Sequence, residues 1–571
     1  MTSVELQKIY MSRPFKTRNA DEYDLSNILD LFIDPTDGLI GPFEYSNSII
    51  KGKMGSGKTM YLRANYAYYL YTLVPCLLEQ QPIILPVYIK LSDFQNIHDS
   101  EKLYYAIIVK IIEEIVSVCK HLQSSKELAR LHVGAKTLSN LWSSDDTFFD
   151  VLERLKTLTA DEYIERVSSG FATNGSVTAS FLNLYAAYEK NTVTEIKRCE
   201  KPSFQNIVDV CDKLLAPFNG KLLLLFDEIG SISKSFFKAS DDNDSYFETL
   251  MNQLRTLSYV RTKLAVYPHS YSDILKETRY GDVIELECNI TNNNTLYYTF
   301  LSRTVSLIER YAKKSSGLLC CAEDIFDITT YNQLIIEQFV NASEGNMRRL
   351  VHLLDSSMNI AYMHCQGTKK VSLDDVLGAL RKQGEEMESQ YQDMDKSFLI
   401  SLAKVCRTRS TYNFTFPNKS TLINRYTSTS SEYNVVNIKQ TGTGRQGTVY
   451  SFDYAYCIYR DIPTHYVKDS EKIDRTRSTL NGEAIKRVAQ LTDELLTQSD
   501  MRGKIEGTVT YLSEDNRSGF VTDSKGNQYY INMNKVIASD KRKRFYNGDH
   551  VRFLPQKVTD DLSRAVEVEI L

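Results

Sequence analysis

Apolar positions in the first half of this chain gather into short continuous runs, whereas those in its last third alternate with polar ones between turn signals. Four continuous runs stand out: Ser48-Ile49-Ile50, Pro82–Leu91, Lys221–Phe226 and Lys263–His269. Runs of this length and content predict strands of a parallel sheet buried on both faces. Helical stretches lie between them, at Met60–Tyr66 and around Ser245–Ser258. Leu103–Leu122 and Asp145–Leu155 carry helical periodicity and Asn174–Val177 reads as a loop, so residues ~95–200 form a largely helical insertion. Trp142, the only tryptophan, falls in it and reads as a core residue rather than a recognition element. After the sheet, Leu350–Leu354 belongs to an amphipathic helix within a helical stretch.

Beyond residue 396 the pattern changes. Ser397–Arg407 and Ser420–Tyr426 predict two short helices, and Tyr433–Gln440 and Thr448–Asp453 two strands. The joining segment, Thr441–Gly447, is a glycine-rich turn with a basic tip. Thr479–Thr497 reads as an amphipathic connecting helix, and Gly503–Leu571 as an all-β barrel of short, evenly spaced strands. The expected division is therefore 1–300 for the sheet core with its insertion, 301–395 helical, 396–465 mixed, 466–502 connector and 503–571 barrel.

Composition narrows the class. With 571 residues, 42% hydrophobic and 25% charged, the chain is an ordinary globular mixture of several domains, which excludes a mostly disordered protein. No apolar run approaches the ~18–20 residues that span a bilayer, and Met1–Arg18 has no signal-type apolar core. A cytoplasmic protein without membrane contact is expected. Ten cysteines without a C-x-x-C pair and eight histidines without ligand spacing indicate neither a zinc site nor a disulfide framework. The net charge of −4 is unevenly spread: 396–463 holds nine Lys and Arg against three acids, whereas 503–571 is near balance and the remainder is acidic. A polyanion would dock on the basic module.

Gly52-Lys53-Met54-Gly55-Ser56-Gly57-Lys58-Thr59 fits G-x-x-x-x-G-K-[ST], between a strand end and a helix start. Glycines here let successive backbone N–H groups, Ser56 among them, turn around phosphate oxygens, and the helix N-terminus adds its dipole. Lys58 would bridge the β- and γ-phosphates and the Thr59 hydroxyl would ligate Mg²⁺. The apolar strand at Lys221–Phe226 ends in Asp227-Glu228, at the carboxyl edge where ligands of open α/β sheets bind. Asp227 would hold the metal shell, and Glu228 would orient and deprotonate the attacking water. His269 and Ser270, at the end of the next strand, either sense the γ-phosphate or cap a turn after Pro268. No N-K-x-D guanine motif is present, so ATP is the expected nucleotide.

Glu344-Gly345-Asn346-Met347-Arg348-Arg349-Leu350 resembles the G-[DN]-x-R-R sensor motif of AAA+ ATPases of the origin-recognition and replication-initiator type. The resemblance implies an α/β P-loop parallel sheet with a helical lid, Arg348 reaching the γ-phosphate, and a winged helix after the lid. It also implies an oligomer with a trans-acting arginine finger near Arg279, for which Lys276 is a rival and a surface salt bridge an equal alternative. One departure is the 168-residue separation of Thr59 from Asp227, which the insertion accounts for. The helix–helix–hairpin after 396 resembles a winged helix, which puts Lys419 and Arg425 near its recognition helix and Arg445 on its wing. Gly503–Leu571 resembles a cold-shock domain, a small OB-type barrel: Gly507–Tyr511, Ser518–Val521, Gln528–Asn532 and Asn547–Phe553 match its strands and ribonucleoprotein motifs. Tyr511, Phe520 and Tyr530 then lie on the base-stacking face, and Lys541-Arg542-Lys543-Arg544 beside it would hold phosphates. Ser518 and Asn532 depart from that family, where an aromatic and a histidine stand.

The function expected is an ATPase that couples ATP and Mg²⁺ to nucleic-acid binding, DNA rather than RNA. It would act with a protein effector, as a sensor in anti-phage defence or in replication or transposition. The alternative is a signalling NTPase acting as a protein-assembly switch.

Overall fold

The apolar runs do assemble into one sheet. The computed structural model describes residues 1–35, 41–78, 82–123, 203–215, 219–237, 245–267, 281–286, 290, 293–328, 334–416, 422–427, 434–442, 447–464, 470–481, 487–491, 504–536, 544–557 and 563–571. Strands β1 (Ser48–Lys51), β2 (Ile84–Lys90), β3 (Lys221–Asp227), β4 (Val260–Val266) and β5 (Asp282–Glu285) take the order β2-β3-β4-β1-β5. Every pair is parallel. Leu222 to Phe226 are all buried, as a central strand covered on both faces requires. From β1 the chain crosses to the far edge at β2 and steps back through β3 to β4, and β5 then lies on the other side of β1. The sheet therefore reverses direction at β1, and a crevice opens beyond its carboxyl end.

Helices precede and cover the sheet: α1 (Ser3–Ser12), α2 (Leu25–Leu31), α3 (Lys58–Leu78), α4 (Ser100–Gln123), α5 (Phe204–Leu214) and α6 (Tyr246–Thr256). The chain continues through α7 (Asn294–Ser316), α8 (Ala322–Ile325), α9 (Leu334–Ser343), α10 (Met347–Cys365) and α11 (Leu373–Ser389). The boundary expected at 300 falls inside α7. The chain divides into two compact units: 1–289 with 299–329 and 343–370, and 290–298 with 330–342 and 371–571. Of the insertion, α4 is described as expected. Trp142, Asp145–Leu155 and Asn174–Val177 lie outside the described residues.

A buried lysine breaks the apolar pattern of the first core. Lys263 on β4 is 1% exposed; its ammonium donates to Asn65 Oδ1 at 2.8 Å and to the Pro42 carbonyl at 3.1 Å. Burial lowers its pKa to about 7, with Glu44 opposing weakly. An unfolded lysine titrates near 10.4, so between pH 7 and 10 the unfolded chain binds the extra proton. Stability contributed by this site thus rises with pH across that window. We expect denaturant unfolding of the wild type to gain about 1.4 kcal/mol per pH unit above 7 relative to Lys263→Met. Parallel stability curves for the two would show that Lys263 keeps its ordinary pKa.

Among the described residues of the second unit lie two small cores beyond residue 386. The first is built by α12 (Asp393–Thr408), β6 (Asn413–Thr415), β7 (Val436–Gln440), β8 (Val449–Phe452), α13 (Tyr454–Tyr459) and β9 (Ala489–Gln490). Its sheet has the order β7-β8-β6-β9 around Leu399, Leu402, Phe414, Phe452 and Tyr456. Two expectations are corrected here. The second helix, expected over 420–426, is a single 3-10 turn at Leu422–Arg425. The Tyr426 carbonyl accepts the Val436 N–H at 3.2 Å, and this hydrogen bond ties the turn to the start of the hairpin. The connecting helix, expected over 479–497, is described as far as Asn481, and Ala489–Gln490 is not helical but pairs with Phe414 and Thr415. That pairing buries Ala489 and Leu491, which outweighs local helical preference.

The second core is a closed barrel of β10 (Ile505–Leu512), β11 (Ser518–Asp523), β12 (Gln528–Asn532), β13 (His550–Lys557) and β14 (Ser563–Ile570), in the order β10-β11-β12-β14-β13. Only β12 and β14 run parallel. Val509, Val521, Ile531, Phe545, Val551 and Phe553 fill it. Gly519 stands where a Cβ would lie 2.0 Å from the Tyr511 carbonyl, beside the irregularity between Val509 and Tyr511, so the strand needs glycine there.

Candidate functional site

The loop Gly52–Gly57 leaves β1 and turns directly into α3. Gly55 and Gly57 hold φ of +80° and +97°, conformations that favour glycine. A Cβ on Gly55 would also lie 2.4 Å from Asn346 Oδ1, because α10 begins against the loop. Asn346 caps α10 by accepting the Arg349 N–H at 3.0 Å, and its amide donates to the Met54 carbonyl at 2.9 Å. The Arg348 N–H donates to the Gly55 carbonyl at 3.1 Å. Two helices thus present their N-termini at the phosphate loop, α3 through the sequence and α10 through tertiary contact.

Lys58 is buried; its ammonium donates to the carbonyls of Gly52 at 2.6 Å and Lys53 at 2.7 Å and lies 4.0 Å from the centre of the Tyr267 ring. At the end of β3, Asp227 is 1% exposed. Its Oδ1 accepts the Glu228 N–H at 2.8 Å, and its Oδ2 accepts the Tyr88 hydroxyl at 2.6 Å. Glu228 itself takes left-handed backbone angles, φ 55° and ψ 39°, which a non-glycine residue adopts at some cost and which cluster at functional sites. Ser231 closes this turn by donating its N–H and hydroxyl to the Glu228 carbonyl, at 2.9 and 2.7 Å. Lys90, at the end of β2, lies 2.7 Å from Asp21 and 3.9 Å from Glu228. The hydrogen bond to Asp21 raises the Lys90 pKa most, and Glu228 and Asp227 add to it.

A cavity of about 340 Å³, within the range of small-molecule sites, opens beside them. Gly55, Ser56, Gly57, Lys58, Thr59, Asp227, Glu228 and Arg348 border it together. Leu31, Ile33, Leu286, Phe300, Leu307 and Val351 form an apolar stretch of wall, and Thr17–Tyr23 supply the edge before β1. The Ser56 hydroxyl is buried there without a hydrogen-bond partner, and space opens beside Gly57. Cations, loop amides, an orphaned hydroxyl and two carboxylates fit a nucleotide triphosphate with a divalent cation. Gly52 lies behind the loop, where a Cβ would meet Ser56 Oγ at 2.2 Å.

The structure thus brings Lys58, Thr59, Asp227, Glu228 and Arg348 together across 290 residues of sequence. His269, Ser270, Lys276 and Arg279 lie outside the described residues. Sequence reading missed Tyr88, Lys90, Arg303, the contact of Asn346 with the loop and the wall from Thr17 to Tyr23. Tyr88 had a signal, a hydroxyl-bearing residue inside the apolar run beside the acidic strand. The others depend on sheet order and helix docking.

On the barrel the three predicted aromatics form one row. Tyr511 stands opposite Phe520, and Phe520 opposite Tyr530, with ring centres 6.3 and 5.9 Å apart. Tyr511 is 63% exposed. Arg564 extends the row on β14, opposite Tyr530, a position the sequence did not single out. Ser518 and Asn532, the two departures, face each other on β11 and β12. Arg544 is exposed, and Lys541, Arg542 and Lys543 lie outside the described residues. In the mixed module, Arg425 pairs with Asp395 at 2.8 Å, and Lys419 and Arg445 are not among the described residues.

No helix among the described residues is long and apolar enough to cross a membrane, and none of them form a group of His, Cys, Asp and Glu fit to hold a metal ion. Residues 13–92 match the ORC-CDC6-like family model, a stretch from the end of α1 through the phosphate loop to β2. No curated protein matches the chain. Among solved structures, the ORC2 protein of Aeropyrum pernix, described with ADPNP and ADP, is 13% identical with a TM-score of 0.30, covering 73% of this chain and 87% of that one.

Proposed function

We propose that this chain is an AAA+-type ATPase of the origin-recognition and replication-initiator kind, whose nucleotide state governs its hold on nucleic acid. The observation that carries the reading is the docking of Asn346 and Arg348 on the phosphate loop, which joins Arg348 to Lys58, Thr59, Asp227 and Glu228 around one cavity. The ORC-CDC6-like match over 13–92 supports the same family. Thr59 and Asp227 would hold Mg²⁺, which would supply charge that neutralises the phosphates. Lys58 and Arg348 carry the positive charge that stabilises the transferred phosphoryl group, and Glu228 takes the proton of the attacking water. Leu286, Phe300 and Leu307 offer an apolar seat for a base.

In this reading, the row Tyr511–Phe520–Tyr530 stacks the bases of a single strand in a cold-shock-like OB barrel, with Arg544 and its basic neighbours on phosphates. The β7–β8 hairpin with α12 makes a winged-helix-like module, with Lys419, Arg425 and Arg445 toward DNA. Arg279 would complete a neighbouring subunit's site in a homo-oligomer. The long insertion and the appended barrel suit a sensor ATPase of an anti-phage system acting through an effector protein. Unchanged phage plating after deletion of the gene and its neighbours would end that use.

Steady-state ATP hydrolysis, alone and with duplex DNA, single-stranded DNA and RNA, tests the main reading, with Glu228→Gln as blank. Stimulation by one polymer is the expected result. Turnover indifferent to all three would favour a protein-assembly switch instead. The pairing of Arg425 with Asp395 speaks for that second reading of the mixed module, since it engages a cation expected at DNA.

A further inference from the structure

We propose that Tyr88 is a positioning residue for the metal-side carboxylate, its phenol fixing how Asp227 meets a divalent cation held with nucleotide. The inference rests on the nucleotide reading above and goes beyond it by naming what sets the carboxylate's orientation. β2 and β3 run parallel with Tyr88 opposite Leu225 and Lys90 opposite Asp227, so the phenol reaches two residues forward along the sheet to the carboxylate. The contact is 2.6 Å, the length of a strong hydrogen bond to an ionised acceptor. On the other side, Oδ1 is fixed by the Glu228 N–H at 2.8 Å, so both carboxylate oxygens are held and the plane of the group is set.

Tyr88 does not border the cavity, whereas Asp227 does. The phenol therefore acts from behind, through the carboxylate. Its ring packs on Tyr66 of α3, centres 6.1 Å apart, which anchors the phenol to the helix that follows the phosphate loop. A tyrosine hydroxyl carries a proton to donate, and here the Asp227 carboxylate accepts it. Each carboxylate oxygen accepts more than one hydrogen bond, so a lone pair on each stays directed by the donor already in place. Groups that orient a metal's carboxylates in this way typically change metal affinity by 10–100-fold when removed.

The test uses the full chain and a non-hydrolysable ATP analogue, titrated with Mg²⁺ and, separately, in EDTA. Tyr88→Phe keeps the ring on Tyr66 and removes the donor. The expected result is about a tenfold rise in the Mg²⁺ concentration for half-saturation, with analogue affinity in EDTA unchanged. In an Asp227→Asn background the same substitution is expected to change nothing further. A lower melting temperature with an unaltered Mg²⁺ requirement would overturn the inference, because the phenol would then only stabilise the fold. An equal shift in the Asp227→Asn background would overturn it too, since the effect would not pass through the carboxylate. Should Tyr88→Phe fail to fold, the double variant, which strands no buried charge, is compared with Asp227→Asn alone: an unchanged Mg²⁺ requirement is the expected result, and a further shift overturns the inference. A wild type that binds no analogue with Mg²⁺ present would instead sink the nucleotide reading and this inference with it.

Discussion

Glu228→Gln is expected to lower ATP turnover by about 10²–10⁴-fold while leaving nucleotide affinity nearly unchanged. The substitution keeps the size and planarity of the side chain and removes only its basicity. Its backbone is held independently of the carboxylate, by Asp227 Oδ1 on the Glu228 N–H and by Ser231 on the Glu228 carbonyl. Gln therefore inherits the same left-handed geometry, and binding through Lys58 and the loop amides persists. The loss belongs to kcat, as for a group that acts only when the water is deprotonated. Lys90 lies 3.9 Å from Glu228 and 2.7 Å from Asp21, so its closer pairing is with Asp21. The measurement is phosphate release under saturating ATP beside a binding titration. Turnover within tenfold of wild type would remove Glu228 from the chemistry and move the proton to another group.

The second large effect is expected on the barrel. Phe520→Ala should weaken single-strand binding by roughly 1–3 kcal/mol, about 5–150-fold, with Tyr511→Ala close behind. Phe520 sits between the other two rings, so its loss breaks the row in the middle. Tyr511 is exposed, and its removal costs little folding energy, which makes it the cleaner probe. The two losses should be less than additive, because the rings touch. The salt dependence separates this from charge binding: neither aromatic substitution should alter the slope of affinity against salt, whereas Arg544→Ala should reduce it by about 0.7 if it meets a single-strand phosphate. Fluorescence anisotropy with a short labelled single strand reads all of these. Unchanged affinity for both aromatic variants would make the row a protein-contact face.

How much of this was legible in the sequence depends on the distance over which each feature is encoded. The phosphate loop is eight consecutive residues whose glycines are needed for backbone reasons. The acidic strand is one apolar run with two carboxylates at its end. The aromatic row is legible for a similar reason: alternation along a strand fixes which side each residue faces. Arg348 was legible as a short motif, although its place at the loop depends on Asn346 meeting Met54 across the fold.

The sequence by itself determined the chemistry available, the parallel sheet, the position of the phosphate loop and the barrel, because each rests on local spacing and periodicity. Only the tertiary structure decided which groups share a site. The order β2-β3-β4-β1-β5 puts Tyr88 and Lys90 beside Asp227 and Glu228, and nothing in residues 84–90 specifies that neighbour. The burial of Lys263 against Asn65, the closure of the mixed sheet by Ala489–Gln490 and the arrival of Arg564 beside Tyr530 are of the same kind. Each contact joins segments from tens to nearly two hundred residues apart. Its free energy is realised only once the whole unit has paid the entropy of folding, so local propensity carries no trace of it.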